Sequence, residues 1–462
     1  MRVVIIGGVA AGMKTAAKVR REDPDAQITV LEKGSLISYG ACGMPYYVGG
    51  LVADINNFMK TPSGHMRNPE FFKEKKIDVH TKMLVTAIDR TEKMVTGRNL
   101  ATNEEFTLPY DKLVIGTGAT PVRPPLDGVD LKGIHQFWHP DDAVAVRSGI
   151  DNGQIKNAVV IGAGLVGMEL AEAFVTRGVK TTVVEMQDRV FPAFLDPEVA
   201  AAVGKYAAKK GIELLLGEKV ERFNGDEMVR EVVTNKRVVP AEAVVLAIGV
   251  RPNVELAKAA GLTIGPTGAI AVNEYLQTSD PDIYAGGDCA ENTNIISGKK
   301  VFAPMGSTAN KHGRVIGENI AGKRVKFGGV LNTVGVRVLD LHVGKTGLTE
   351  REAGELGFDY ITVVVTNPDK PHYMPGSQRI TVKLIVEAAT RKVLGAQLFG
   401  QGEVVKRIDV LAAALTMGAT IDDLFDMDLV YAPPYSSPID NVAVAANAAM
   451  NKLDELARRQ GS

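Results

Sequence analysis

Two stretches of this chain follow one order of elements, and that duplication most constrains its fold. In "RVVIIGGVAAGMKTAAKVRRE…AQITVLEKG" an apolar strand runs into a glycine turn, an amphipathic helix and a second apolar strand ending at Glu32. "NAVVIGAGLVGMELAEAFVTRGVKTTVVEMQ" repeats the order and ends its strand at Glu185, 23 residues after Gly162. Short apolar runs alternating with helical stretches predict βαβ units in parallel sheets. After the first unit, "KMLVTAIDR", "MVTGRNL" and "EEFTLPY" read as a small antiparallel meander, followed by the apolar strand and glycine turn of "DKLVIGTGATP". After the second, "ERFNGDEMVREVVTNKRVVPAEAVVLAIGVRPN" repeats meander then strand, so one module is present twice.

From about Lys326 the character changes: strand-like runs precede helical ones, as in an α+β unit. At 462 residues the chain has room for about three domains. We expect one dinucleotide-binding domain from 1–118 and 250–325, a second inserted at 119–249, and a C-terminal domain at 326–462. The apolar content of 45% and charged content of 23% suit a globular chain. A net charge of −1 gives no global field for nucleic acid or a membrane surface, so any anionic partner must be held by a local cluster. Only two cysteines, no charged leader before the first strand and no long apolar run lead us to expect a cytoplasmic protein.

The two glycine turns predict two nucleotide sites. Gly162, Gly164 and Gly167 fill the G-x-G-x-x-G fingerprint, in which glycines let the backbone approach a pyrophosphate at a helix N-terminus. The first turn departs from it: Gly7 and Gly12 take the outer positions, Val9 the middle one, and Gly8 is an extra glycine. Glu32 and Glu185 end strands where a carboxylate binds ribose hydroxyls. Glu185, followed by the neutral Met186 and Gln187, favours NADH, with NADPH as the alternative nucleotide because Arg189 is close. Two such sites imply two cofactors exchanging electrons, a resident flavin first and a visiting nicotinamide second.

Four motifs, "IIGGVAAG" with Glu32, "IGAGLVGMELAE", "AIGVRPN" and "TSDPDIYAGGD", resemble the flavin-dependent pyridine nucleotide–disulfide oxidoreductases across essentially the full chain. The resemblance implies a glutathione-reductase-like fold, a C-terminal dimerisation domain and a homodimer. It places Asp288 on the ribityl chain of FAD, and Lys33, Gly118 and Gly249 in the cofactor-binding set. Most members carry a C-x-x-x-x-C redox pair. Here "SYGACGMPYY" has Cys42 at the first position and Tyr47 at the second, which points to the single-cysteine branch of coenzyme A disulfide reductases, NADH oxidases and NADH peroxidases. Alanine at position 10, where the peroxidases carry a histidine, disfavours peroxidase chemistry because it holds no proton. Leu165 replaces a tyrosine that often gates the nicotinamide pocket, Ala41 replaces a common asparagine, and Met374 replaces a tyrosine.

At the chemical centre, Cys42 is expected to act as a thiolate whose pKa is lowered by a glycine turn entering a helix. Its resting oxidised form is a mixed disulfide with a small thiol or a sulfenic acid. By resemblance, Tyr373 and Tyr431 reach the partner subunit's cysteine, and coenzyme A docks near Ser38 and a basic helix face. Lys14, Lys18 and Arg21 fall at i, i+4 and i+7 on that face, with Arg20 nearby. The expected activity is NAD(P)H-dependent reduction of coenzyme A disulfide, persulfide or polysulfide. An NADH oxidase is the rival enzyme and a redox-sensing interaction protein the rival of another class. Cys289, beside Asp288, reads as a buried inert thiol, and His312 as a satisfied core histidine. No metal is expected.

Overall fold

A computed structural model describes residues 1–460. The first glycine unit builds a five-stranded parallel sheet in the order Ile283–Ala285, Lys112–Ile115, Arg2–Ile6, Gln27–Leu31, Ile77–His80. The second unit builds another, in the order Ile212–Leu216, Lys180–Glu185, Asn157–Ile161, Ala243–Leu246, Ile134–His135. The central strands read VVII and AVVI without alternation because helices cover both faces, and their residues are fully or nearly fully buried. Each sheet carries its own three-stranded antiparallel meander, Met83–Asp89 with Met94–Asn99 and Glu105–Pro109, and Val220–Gly225 with Val229–Thr234 and Val238–Pro240.

The strand Ile283–Ala285 returns to the first sheet after the chain has built the second. The two crossings run side by side as an antiparallel ribbon, Ala119–Pro121 with Val250–Pro252. Gly118 and Gly249 flank that ribbon with φ of +67° and +101°, a left-handed backbone that glycine adopts freely.

The C-terminal unit is a five-stranded antiparallel sheet in the order Val334–Val338, Leu341–Gly347, Val393–Gly400, Arg379–Glu387, Tyr360–Pro368, covered by the helices Val404–Thr416 and Asn441–Gln460. It is bolted to the second sheet by buried charge. Lys383, wholly buried, pairs with Asp196 at 2.8 Å and with Glu198 and Glu350. Those three carboxylates lie close enough together to ligate a metal, and the single Lys383 ammonium sits among them as their shared counter-charge. Among the described residues no helix is long and apolar enough to cross a membrane.

Candidate active site

Both glycine turns close in the same way. Gly7 and Gly162 each have φ of +104°. A Cβ on Gly12 would lie 1.9 Å from the Gly7 carbonyl oxygen, and one on Gly167 would lie 2.0 Å from that of Gly162. Each turn delivers a helix start, Ala11–Glu22 or Leu165–Thr176, with no side-chain cap and no acid in its first turn, so its N–H groups and dipole face outward toward an anion.

The strand-end carboxylates are held alike. Glu32 accepts from the backbone N–H groups of Gly8 and Gly34, both at 2.7 Å. Glu185 accepts from those of Ala163 and Gln187, both at 2.8 Å. Arg189 Nη1 pairs with its neighbour Asp188 at 2.7 Å, while its buried Nε has no partner among the described residues. Lys33 is exposed.

Asp288 lies beside the first helix start, since a Cβ on the preceding Gly287 would meet Ala11 Cβ at 3.1 Å. Loss of water alone pushes its carboxyl up to about 6. A desolvated acid beside an uncapped helix N-terminus suits a ligand bearing both hydroxyls and phosphates, which is what FAD presents. At the second turn a Cβ on Gly164 would meet nothing within 4 Å, so the space before that helix is open to a dinucleotide.

Cys42 is exposed on the 3-10 turn Ala41–Gly43, which runs into the helix Met44–Val48. The expected lowering of its pKa needs correction. That helix is only five residues long, and partial burial, Glu169 and Asp288 together push the thiol up from its ordinary value. A second helix end lies close: a Cβ on Gly306, first residue of the helix Gly306–Ile320, would be 3.9 Å from Cys42 Sγ. Cys289 is wholly buried and donates to the carbonyls of Ile115 and Gly286, as expected of an inert thiol. His312 is buried too. Its Nδ1 accepts from Gly287 N–H and its Nε2 contacts Asn292 Oδ1 at 3.0 Å, while burial holds its pKa down to about 4.

The basic helix face is not a free surface. A Cβ on Gly313 or Gly317 would collide with Lys14 Cβ at 2.7 Å or Lys18 Cβ at 2.6 Å, so the helices Ala11–Glu22 and Gly306–Ile320 meet along this line. Lys18 pairs with Glu22 at 2.5 Å and Glu318 at 2.8 Å. Arg20 leaves the expected set altogether: its guanidinium donates to the carbonyls of Asp23, Pro24, Ala26 and Lys76 and so closes the helix end. Lys14 is half-buried and Arg21 exposed. Ser38 adopts φ of +50° and accepts from Arg67 Nη1 at 3.3 Å. Tyr373 and Tyr431 are 64% and 48% exposed on loops of the C-terminal unit, as groups offered to another surface would be.

Three residues escaped the sequence reading. Glu169 receives the Tyr46 hydroxyl at 3.3 Å, and burial pushes its carboxyl up to about 7. Arg67 donates to the Phe58 carbonyl at 2.7 Å, behind the Cys42 turn. Arg147 lies 4.3 Å over the Tyr47 ring. Only the "GMELAE" motif held a local signal, for Glu169.

Comparison with known proteins agrees with this geometry. The family model described as pyridine nucleotide-disulphide oxidoreductase matches residues 1–313, and its dimerisation-domain model matches residues 333–443. The NAD(P)H coenzyme A polysulfide/persulfide reductase of Pyrococcus horikoshii is 40% identical, over 96% of this chain and 97% of that protein. An NADH oxidase of Methanocaldococcus jannaschii is 37% identical, over 98% of this chain and 99% of that protein. A solved structure of an NAD-dependent persulfide reductase from A. fulgidus superimposes with a TM-score of 0.96 at 48% identity, over 99% of this chain and 84% of that one. Matched over nearly its whole length, this chain belongs to the pyridine nucleotide-disulphide oxidoreductase family.

Proposed function

We propose that this protein is an FAD-dependent enzyme that uses NAD(P)H to reduce a small disulfide or persulfide, that of coenzyme A above all, through Cys42. One observation carries the reading: the solvent-facing thiol, which feels the charges of Glu169 and Asp288, has no sulfur partner in its own chain, because Cys289 is sealed in the core of the first sheet. The partner sulfur therefore comes with the substrate.

The Cys42 thiolate attacks one sulfur of a disulfide RSSR, forms Cys42–S–S–R and expels RS⁻, which takes a proton. Two electrons from NAD(P)H then cleave the mixed disulfide, releasing a second RSH and restoring the thiolate. When bound, FAD relays electrons between nicotinamide and sulfur. Cys42 begins this cycle from a raised pKa, so attack is favoured by groups that stabilise the thiolate. The start of the helix Gly306–Ile320 is placed to do so.

Gly7, Gly8, Gly12, Glu32, Lys33, Gly118 and Asp288 form the FAD set, and Gly162, Gly164, Gly167, Glu185 and Gly249 the nicotinamide set. Lys14, Lys18, Arg21 and Ser38 remain the candidate coenzyme A contacts, with Lys18 acting through its stem because two carboxylates hold its ammonium. In a homodimer, Tyr373 and Tyr431 would protonate the thiolate leaving the second protomer's cysteine. Two unpaired thiols suit a reducing compartment such as the cytoplasm.

The intact mass of the unreduced protein, freed of FAD, tests the reading. An adduct of coenzyme A mass that disappears in Cys42→Ser is the expected result, with anaerobic NADH turnover on coenzyme A disulfide lost by at least about a thousandfold in that variant. Turnover that requires oxygen, with a bare or singly oxygenated Cys42, would instead establish the NADH oxidase reading, which the 37% identity to an NADH oxidase keeps in play.

A further inference from the structure

Cys42 has no covalent tether, yet its helix is held at the far end. The last turn of Met44–Val48 closes through Gly49 N–H to the Pro45 carbonyl at 2.9 Å and Gly50 N–H to the Tyr47 carbonyl at 3.1 Å, and two arginines of the second unit add to these bonds. Arg147, on the helix Pro140–Asp151, donates through Nη1 to the carbonyls of Tyr47 at 3.1 Å, Val52 at 2.9 Å and Ala53 at 3.3 Å. Its guanidinium also lies 4.3 Å from the centre of the Tyr47 ring. Arg177, on the end of the next helix, donates to the Val48 carbonyl at 3.2 Å. Asp151 joins the two arginines, reaching Arg147 Nε at 3.5 Å and pairing with Arg177 Nη2. Tyr47, the residue at the second-cysteine position, is fixed on another side by Phe58, ring edge to ring face at 6.5 Å. Phe58 covers Gly43, next to Cys42, so closely that a Cβ there would lie 2.3 Å from the ring.

The elements that grip the cysteine helix belong to the second sheet. Met44 and Val48 lie in one core with Ala143 and Val146 of the Arg147 helix and with Val160 and Val183 of the nicotinamide-side strands. A positive, planar donor at a helix C-terminus satisfies several carbonyls at once and complements the dipole, which an ammonium on a flexible stem does less well.

We infer that Arg147, supported by Asp151 and Arg177 and stacked on Tyr47, is the positioning residue that holds Cys42 in register with the nicotinamide-side unit, a restraint that a disulfide to a second cysteine would otherwise give. The inference rests on Cys42 being the redox thiol. It concerns how that thiol is held, not which acceptor it serves.

The test uses FAD-loaded full-length Arg147→Ala and Arg147→Lys. The rate of Cys42 alkylation by iodoacetamide is followed across pH by intact mass, beside kcat and KM for NADH and coenzyme A disulfide, bound FAD and the thermal midpoint. In Arg147→Ala the limiting alkylation rate rises and its pH midpoint moves toward the ordinary thiol value. There kcat falls about ten- to a hundredfold, the loss expected when a reacting atom is displaced by about 1 Å, with KM for NADH unchanged. Arg147→Lys recovers part of both. A role in stability alone would lower the thermal midpoint and leave the alkylation profile unmoved. A folded, FAD-bound Arg147→Ala with the wild-type alkylation profile overturns the inference; if that variant does not fold, a wild-type profile in Arg147→Lys overturns it. Failure of the disulfide reductase reading shows separately, as oxygen-dependent turnover in the wild-type enzyme, while the alkylation readout stands.

Discussion

The two glycine turns close on one plan and differ in what surrounds them. In the first, a Cβ on Gly8 would already touch Glu32 Cβ at 3.0 Å and Ile37 Cγ2 at 3.1 Å, and Glu32 is buried. In the second, the residue matching Gly8 is Ala163, Gly164 faces open space, and Glu185 is half-buried beside Met186, which is 62% exposed. The strand-end acid of the first turn is thus the more buried of the two, as suits the proposed seat of a resident cofactor, while that of the second stands nearer solvent, as suits the proposed seat of an exchanging nucleotide. Val9 in the middle of the first fingerprint belongs to this contrast. Both positions are half-buried, and the second turn has no side chain where a visiting pyrophosphate would pass.

The sharpest way to break the comparison is one methyl group in each turn. Gly12→Ala and Gly167→Ala both drive a Cβ to about van der Waals overlap with a backbone carbonyl, a clash costing at least about 1–3 kcal/mol because backbone, not a flexible side chain, must move. If the first turn seats the resident cofactor, Gly12→Ala is purified without yellow colour and without any NADH-dependent activity. Gly167→Ala stays yellow and folded, and loses NADH-driven turnover while still accepting electrons from dithionite. Absorbance at the flavin band and NADH titration separate the two. Equal loss of colour in both variants would erase the distinction between a held and an exchanging site.

The strand-end carboxylates sharpen it at a smaller scale. Each accepts two backbone N–H bonds, so each replacement by alanine strands two donors at about 1–3 kcal/mol apiece where water cannot reach them. For Glu32 that cost is internal, and Glu32→Ala is expected to lower the denaturation midpoint and the retained FAD together. For Glu185 water reaches the stranded groups, so the midpoint moves little while KM for NADH rises about ten- to a hundredfold. Urea denaturation and steady-state kinetics on both variants check this.

The sequence made the duplicated module legible because its signals are local: apolar runs, glycine spacing, a carboxylate at a strand end. It also exposed Cys42 as a cysteine without the second one that most of the family carries, since a missing cysteine is visible without a structure. What stayed hidden depends on distant partners. Arg20 reads as part of a basic patch until the carbonyl of Lys76, 56 residues on, is seen to hold it. Arg147 is an ordinary helical arginine until its helix is laid against Tyr47, 100 residues earlier. Lys18 falls on the expected helix face but meets Glu318 of a helix that the sequence could not place against it. The direction of the Cys42 pKa shift is hidden for the same reason, because the packing that partly buries the thiol and the charges of Glu169 and Asp288 come from other segments.

The smallest expected effect lies at a matching helix position where the two modules carry opposite charge. Two residues beyond Gly12 stands Lys14, and two beyond Gly167 stands Glu169. Desolvation raises the Glu169 carboxyl to about 7 against the pull of the Tyr46 hydroxyl, and Glu172 three residues on, itself held by Arg337 at 2.6 Å, adds a smaller push upward. A carboxyl with a raised folded-state pKa stabilises the fold while it is protonated in both states. Its contribution is complete below its ordinary value of 4.5 and is lost as pH rises through about 7. Comparing urea midpoints at pH 5 and pH 8, the wild-type protein should therefore fall more than Glu169→Gln, whose amide does not titrate. The same variant removes a negative charge from the Cys42 surroundings, so its alkylation profile should move to lower pH. An unchanged alkylation profile with an unchanged pH dependence would show that the carboxylate is solvated and uncoupled from the thiol. The reversed charge in the second module would then be a feature of its helix alone.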